Sequence, residues 1–191
     1  NIPEVELGIA FSHSDSHFKV NRNNVTYYPI NLHRTKPQRW MDKFVPSRVD
    51  SPELSACLKI IDDFKPDLIQ VFGSEWCFGL LPTLTDIPVV IHIQGLAGPY
   101  LNAYFPPGYT KNEYFFCKGL SPRAIFRQLF DYKLFKLRAS REAVILKNCK
   151  YFMGRTEWDK SISHLFSPES HYYYCSEVLR DVFYEFAGTW S

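Results

Sequence analysis

The segment DLIQVFGSEWCFGLLPTLTDIPVVIHIQG (residues 67–95) contains two short apolar runs, at residues 67–72 and 89–93, and each run leads into a glycine or a polar residue. Nearly continuous apolar runs of this length are typical of parallel strands that are buried on both faces. A short helix is predicted between them, at residues 76–84. Strand, helix and strand in succession predict an α/β unit with a parallel sheet.

Further strands and helices are predicted on both sides of this unit. Before it, residues 5–11 and 25–30 read as strands, and a helix begins at the SPE of residues 51–53 and continues to residue 64. After it, a helical stretch runs from residue 121 to about residue 147, residues 151–153 and 171–175 read as strands, and Thr156 with Asp159 resembles a capping box. Residues 31–50 and 96–120 are predicted to be irregular.

This alternation predicts one Rossmann-like α/β domain over residues 1–191, with a doubly wound, mainly parallel sheet and helices on both faces. The composition, 46% hydrophobic and 22% charged, is that of a globular chain. A net charge of +2 predicts no nucleic-acid partner. No apolar run approaches the roughly 20 residues of a membrane-spanning helix. The five cysteines form no C-x-x-C pair, so we expect a soluble, cytoplasmic protein without a disulfide framework.

Ligands of doubly wound sheets bind beyond the carboxyl ends of the strands. The candidate site residues are therefore those that follow the predicted strands: Ser74, Glu75, Gln94, Gly95, Arg155, Thr156, Glu177 and Arg180. A carboxylate and an amide suit sugar hydroxyls, and an arginine at a helix start suits an anion. The plainer interpretations are that Glu75 is a first-turn acid, that Gln94 and Gly95 form a surface turn, and that Thr156 is only a cap.

Several common catalytic motifs are absent from the sequence. It contains neither G-x-G-x-x-G nor G-x-x-x-x-G-K-[ST], which argues against a self-sufficient dinucleotide or ATP site. It also lacks G-x-S-x-G and H-E-x-x-H, the signatures of many hydrolases and zinc proteases. The SHSDSH of residues 12–17 reads as a polar loop rather than a metal site. We therefore expect no metal and no resident cofactor.

The predicted helix that starts near residue 121 carries a basic stripe. On an ideal helix four arginines lie within about 60° of one another, and apolar residues lie between them. These are Arg123, Arg127, Arg138 and Arg141. Such a stripe suits an anionic membrane surface or a lipid-linked phosphate, and a solvated helix face is the alternative.

Four segments together resemble the amino-terminal domain of bacterial family-4 glycosyltransferases. They are FKPDLIQVFGSE (residues 64–75), PVVIHIQGL (88–96), YFMGRTEWD (151–159) and YYYCSEVLRDVFY (172–184). Members of this family are two-domain enzymes of the GT-B fold, and many act in cell-surface polysaccharide assembly. The resemblance spans nearly the whole chain, and the order of the four segments is more specific than any one of them.

The resemblance implies transfer of a sugar from a nucleotide-sugar donor to an acceptor hydroxyl, with retention of the anomeric configuration and no metal. It implies that Ser74, Glu75, Gln94 and Gly95 border a sugar or glycolipid acceptor. Arg155, Thr156, Glu177 and Arg180 would then border the cleft between the two domains. The nucleotide-sugar would be held by a carboxyl-terminal domain.

The chain departs from the family pattern in three respects. Many relatives have a His-Gly or His-Asp dipeptide where this chain has Gln94-Gly95. No catalytic residue is therefore assigned, and His92, two positions earlier, is not taken as one. The first strand with its glycine-rich loop and the donor domain are expected to be absent. We therefore expect the chain alone to be inactive and prone to pair with a second copy through unpaired strand edges.

Two other classes of function remain in view. The main alternative is a stand-alone carbohydrate- or anion-binding α/β module that uses the same crevice without catalysis. A flavodoxin-like regulatory domain is disfavoured because no acidic cluster follows a predicted strand. For the transferase, the expected location is the cytoplasm, with peripheral contact at the inner membrane face.

Overall fold

The strands form two sheets in the computed structural model, which describes residues 4–13, 19–30, 37, 51–116, 121–176, 181–186 and 188. The smaller sheet contains β1 (Leu7–Ser12), β2 (Val20–Arg22) and β3 (Val25–Ile30). β3 is the middle strand, parallel to β1 and antiparallel to β2.

The larger sheet determines where the candidate site lies. It contains β4 (Ile69–Phe72), β5 (Val89–His92), β6 (Tyr151–Gly154) and β7 (His171–Tyr174), in that order and all parallel. The register pairs Phe72 with His92, His92 with Met153, and Met153 with Tyr173. The residues that follow these four strands therefore lie along one edge of the sheet.

In the described chain, helices follow β3 and each strand of the larger sheet. They are α1 (Pro52–Phe64), a 3₁₀ helix (Cys77–Thr83), α2 (Ala97–Asn102), α3 (Lys111–Phe116), α4 (Pro122–Asn148), α5 (Glu157–Phe166) and α6 (Asp181–Glu185). The start of α1 is the predicted one, because the Ser51 hydroxyl accepts the Leu54 N–H at 3.3 Å.

The core lies between the larger sheet and the helices. Alternate strand residues, among them Val71, Ile91 and Phe152, pack in one apolar cluster with side chains of α1, the 3₁₀ helix, α4 and α5. On the other face, Phe72 and Tyr173 of the outer strands β4 and β7 are more than half exposed, whereas Val90 and His92 of β5 are buried. The core therefore holds α4 against one face of the larger sheet, together with α1, the 3₁₀ helix and α5.

The smaller sheet contacts the end of α1. The Tyr28 hydroxyl donates to Asp63 Oδ2 at 2.8 Å, and the Tyr28 and Phe64 rings meet edge to face at 6.1 Å. A Cβ on Gly8 would lie 3.1 Å from the Phe64 ring, so glycine permits this close approach. Ile30 joins the main core cluster.

The predicted α/β class with a parallel sheet is confirmed. The prediction that residues 96–120 are irregular is wrong, because α2 and α3 lie within them. Helices of six residues show little periodicity, and tertiary packing supports them here, since buried Phe115 contacts Tyr132 at 5.8 Å between ring centroids. The prediction for residues 31–50 falls outside the described residues, apart from residue 37.

Two short elements were not predicted. β2 has three residues and pairs with β3 through a turn at Asn23 and Asn24, whose φ angles are 55° and 60°. Asparagine tolerates this left-handed conformation, so an Asn-Asn pair before an alternating strand was the available signal. Helix α6 has five residues, all of them exposed.

Candidate functional site

Ser74 and Glu75 follow β4, and the first is buried while the second is exposed. Gly73 has a φ of 84°, a conformation that favours glycine and turns the chain sharply. Ser74 is fully buried, and its hydroxyl lies 2.6 Å from Glu142 Oε1 and 3.3 Å from the Gly95 carbonyl oxygen. The expectation that Ser74 borders the acceptor therefore needs correction, because its side chain faces inward and is already hydrogen-bonded.

Glu75 and Gly95 come together at this edge of the sheet, and Gln94 directly precedes Gly95. The Glu75 and Gln94 side chains are exposed, and a Cβ on Gly95 would lie 3.6 Å from Glu75 Oε1. A carboxylate that only accepts and an amide that both donates and accepts therefore flank one stretch of backbone. Gly95 is not among the described glycines with positive φ, so its role here is the small size that keeps this stretch open.

Trp76 and two arginines of α4 complete this part of the edge. Trp76 follows Glu75 directly and is 56% exposed. The Arg141 guanidinium donates to the Glu75 carbonyl oxygen, and the Arg138 guanidinium carbon lies 5.9 Å from the Trp76 ring centroid. Burial lowers the pKa of Arg141 below its ordinary value. We call Glu75, Trp76, Gln94, Gly95 and Arg138 the rim.

Trp76 was not among the predicted site residues, and Arg138 and Arg141 were predicted to lie on a basic stripe that suits an anionic membrane surface or a lipid-linked phosphate, with a solvated helix face as the alternative. Arg141 is half-buried and hydrogen-bonded to the segment that follows β4, whereas Arg138 is exposed. Because α4 packs against the 3₁₀ helix that follows β4, its last turns lie beside the rim. The position of Trp76, next to two candidate residues after a strand, was the signal that could have revealed it.

The loop after β6 is organised as a helix cap. Thr156 Oγ1 accepts the Asp159 N–H at 3.1 Å, and Asp159 Oδ2 accepts the N–H groups of Arg155 and Thr156, both at 3.1 Å. The predicted capping box is confirmed. Because Asp159 occupies these backbone donors, an anion at this point would depend on the Arg155 guanidinium.

Three further predictions concern residues that lie outside the described part of the chain. Glu177 and Arg180, expected at the cleft, lie outside it, as do residues 14–17 of the SHSDSH segment.

Arg155 and Thr156 follow β6, the strand next to β5, which Gln94 follows. Their place on the same edge as the rim follows from the parallel register.

His92 is a buried polar residue on the same strand as the rim residue Gln94. It is 5% exposed, and its Nδ1 lies 3.4 Å from the Gln70 side-chain nitrogen. Its Nε2 has no hydrogen-bond partner in the part of the chain that the structure describes. The Phe72 ring lies 5.3 Å from the imidazole. The His92 imidazole is thus buried, whereas Glu75, Trp76 and Gln94 of the rim are exposed.

The first turns of α4 carry the remaining part of the arginine stripe. Arg123 and Arg127 are exposed, and between them Phe126, 69% exposed, stacks on Phe130 at 6.2 Å. Among the helices that the structure describes, none is both long and apolar enough to cross a membrane.

The fold and the rim define an α/β protein with a Rossmann-like parallel sheet and an exposed polar edge at the carboxyl ends of its strands. No protein-family model matches the chain, and a comparison with curated proteins finds no significant match.

Proposed function

We propose that the chain is the acceptor-binding half of a glycosyltransferase that uses a nucleotide-sugar in cell-surface polysaccharide or glycolipid synthesis. The observation that carries the proposal is the rim, where the exposed Glu75 and Trp76 follow β4 and the exposed Gln94 follows β5, at the same edge of the parallel sheet. Glu75 and Gln94 can hydrogen-bond sugar hydroxyls, and the apolar face of Trp76 can cover the C–H groups of a pyranose ring. The four sequence segments that resemble family-4 glycosyltransferases support the same function.

In this proposal the chain binds the acceptor and a second domain binds the donor. The bond from the anomeric carbon to the nucleotide diphosphate breaks, a bond to the acceptor oxygen forms, and the hydroxyl proton passes to the departing diphosphate. Arg138 at the rim and Arg155 after β6 are the described cations at this edge that can lie near the phosphate charge. No metal and no resident cofactor is required.

The first test is sugar binding by the 191-residue chain. Saturation-transfer NMR with a panel of methyl hexopyranosides is expected to show at least one bound glycoside, with loss of the signal in Glu75→Ala. Lys59→Ala, an exposed substitution on α1, serves as the control. Absence of any bound glycoside would contradict the proposal.

A second test separates the transferase from the alternative, a binding module without catalysis. The uninterrupted gene product is incubated with the bound glycoside and a panel of nucleotide-sugars, and release of free nucleotide is measured. Release that depends on the glycoside supports the transferase. Glycoside binding without release by the uninterrupted product supports the binding module.

The exposed start of α4 suits peripheral contact with an anionic bilayer. The Phe126 and Phe130 rings can enter the headgroup region while Arg123 and Arg127 meet lipid phosphates. This contact would bring the chain to a lipid-linked acceptor at the inner membrane face.

A further inference from the structure

Glu142 is a buried carboxylate beneath the rim. It lies in α4 and is 1% exposed, although most glutamates on helices face water. Its Oε1 accepts the Ser74 hydroxyl at 2.6 Å, and its Oε2 accepts the Gly98 N–H at 2.8 Å. Both oxygens are thus hydrogen-bonded, which offsets the desolvation of the group.

These two bonds join segments that follow different strands. Ser74 follows β4, and Gly98 lies in the first turn of α2 after β5. The Ser74 hydroxyl has one proton, and the shorter bond, of the length usual for a hydroxyl and a carboxylate, places that proton towards Glu142. One side chain of α4 therefore holds the end of β4 and the start of α2 together.

We infer that Glu142 is the positioning residue of the rim. By fixing Ser74 and Gly98, it sets the spacing between Glu75, which follows Ser74, and Gln94, which precedes the Gly98 turn. The neighbouring Arg141 holds the Glu75 carbonyl oxygen from the same helix turn. Glu142 acts through these residues rather than by contact with a ligand, and its effect on sugar affinity rests on the proposed function.

Amide hydrogen exchange of the ligand-free chain tests the positioning role directly. Glu142→Ala removes the acceptor of the Gly98 N–H, so Gly98 exchange is expected to rise by at least about tenfold, while exchange of the Ile93 N–H, bonded to Met153 at 2.8 Å, stays unchanged. Glu142→Gln is expected to stay within roughly threefold of the wild type. Its amide oxygen can accept the Gly98 N–H, and its amide nitrogen can donate to Ser74, whose proton then turns to the Gly95 carbonyl.

A core variant of the same helix is the matched control. Ile145 is fully buried less than one turn away, and Ile145→Val removes a methyl group without touching a polar contact of the rim. It is expected to lower the melting temperature and leave Gly98 exchange unchanged. Unchanged Gly98 exchange in Glu142→Ala, or an equal rise in Ile145→Val, would overturn the inference. If Glu142→Ala does not fold, Glu142→Asp is used, whose shorter side chain cannot reach both donors.

Affinity for the methyl glycoside identified with the wild type is measured in the same variants. Glu142→Ala is expected to weaken it about tenfold, whereas Glu142→Gln and Ile145→Val stay within roughly threefold of the wild type. If Gly98 exchange rises and the affinity does not change, Glu142 does not position the sugar site. If the wild type binds no glycoside, the proposed function fails, and Gly98 exchange still decides whether Glu142 holds the rim.

Discussion

Arg138 lies over the indole ring of Trp76, with its guanidinium carbon 5.9 Å from the ring centroid. The contact joins the second half of α4 to the segment that follows β4. A cation held against an aromatic ring restricts that ring, so the contact orients Trp76 at the rim.

Replacement of Trp76 by alanine is expected to weaken methyl glycoside affinity about tenfold, because the apolar surface that we propose covers the sugar ring is lost. Trp76→Phe retains a smaller ring and should lose less. Trp158→Ala is the matched control, since Trp158 is equally exposed at 57% but lies on α5. Both alanine variants should leave stability within about 0.5 kcal/mol of the wild type, because both side chains are exposed. Titration calorimetry measures the affinity of each variant. Equal affinity losses in Trp76→Ala and Trp158→Ala would contradict the placement of Trp76 at the sugar site.

Gly154 and Gly95 are expected to differ in their tolerance of a methyl group. A Cβ on Gly154 would lie 2.6 Å from the Tyr172 hydroxyl and 3.0 Å from Asp159 Cβ, so Gly154→Ala disturbs the helix cap and should cost about 1–3 kcal/mol in urea denaturation. On Gly95 the nearest atom is at an ordinary contact distance, so Gly95→Ala should stay within about 0.5 kcal/mol. A similar loss in both variants would argue against the described packing.

Burial raises the pKa of the Cys57 thiol to about 12. Alkylation requires the thiolate, so iodoacetamide at pH 8.5 should leave Cys57 unmodified in the folded chain and modify it in denaturant. Burial also raises the pKa of Cys149, and mass spectrometry should show the same protection there. Rapid labelling of either residue in the folded state would contradict this prediction.

The same shift predicts a loss of stability at high pH. The unfolded thiol has a pKa of about 8.5, lower than that of the folded state. The stability that the neutral Cys57 thiol contributes is therefore complete below pH of about 8.5 and declines as pH rises towards 12. In urea denaturation, the difference between wild type and Cys57→Ala should shrink from pH 8 to pH 10. A constant or growing difference would show that Cys57 does not titrate as described.

Vesicle sedimentation tests the exposed start of α4. The chain is expected to bind phosphatidylglycerol vesicles at low salt and to be released at high salt, because the attraction of Arg123 and Arg127 is screened. The double variant Arg123→Glu and Arg127→Glu should lose binding. Arg22→Glu with Lys59→Glu makes the same change in net charge elsewhere on the exposed surface and should retain it. Loss in both double variants would indicate attraction by net charge alone.

Local patterns predicted the elements of the fold better than the composition of the rim. The cap at Ser51 and the capping box of Thr156 and Asp159 involve residues three positions apart, so the sequence displays them directly. Ser74 and Glu142 are 68 positions apart, and their contact depends on how α4 packs against the strand ends. In the sequence Glu142 is one more acid in a charged helix, and only the tertiary structure shows that it is buried.

The unbroken course of α4 sets a distance within the molecule. Arg127 near its start and Glu142 near its end are separated by about 22 Å along the axis, at 1.5 Å per residue. If the start of α4 rests on a bilayer, a helix oriented along the membrane normal would carry the proposed sugar site about this far above the headgroups. The reactive hydroxyl of a lipid-linked acceptor would then have to stand several sugar units away from its lipid, and a tilted helix would serve a shorter glycan.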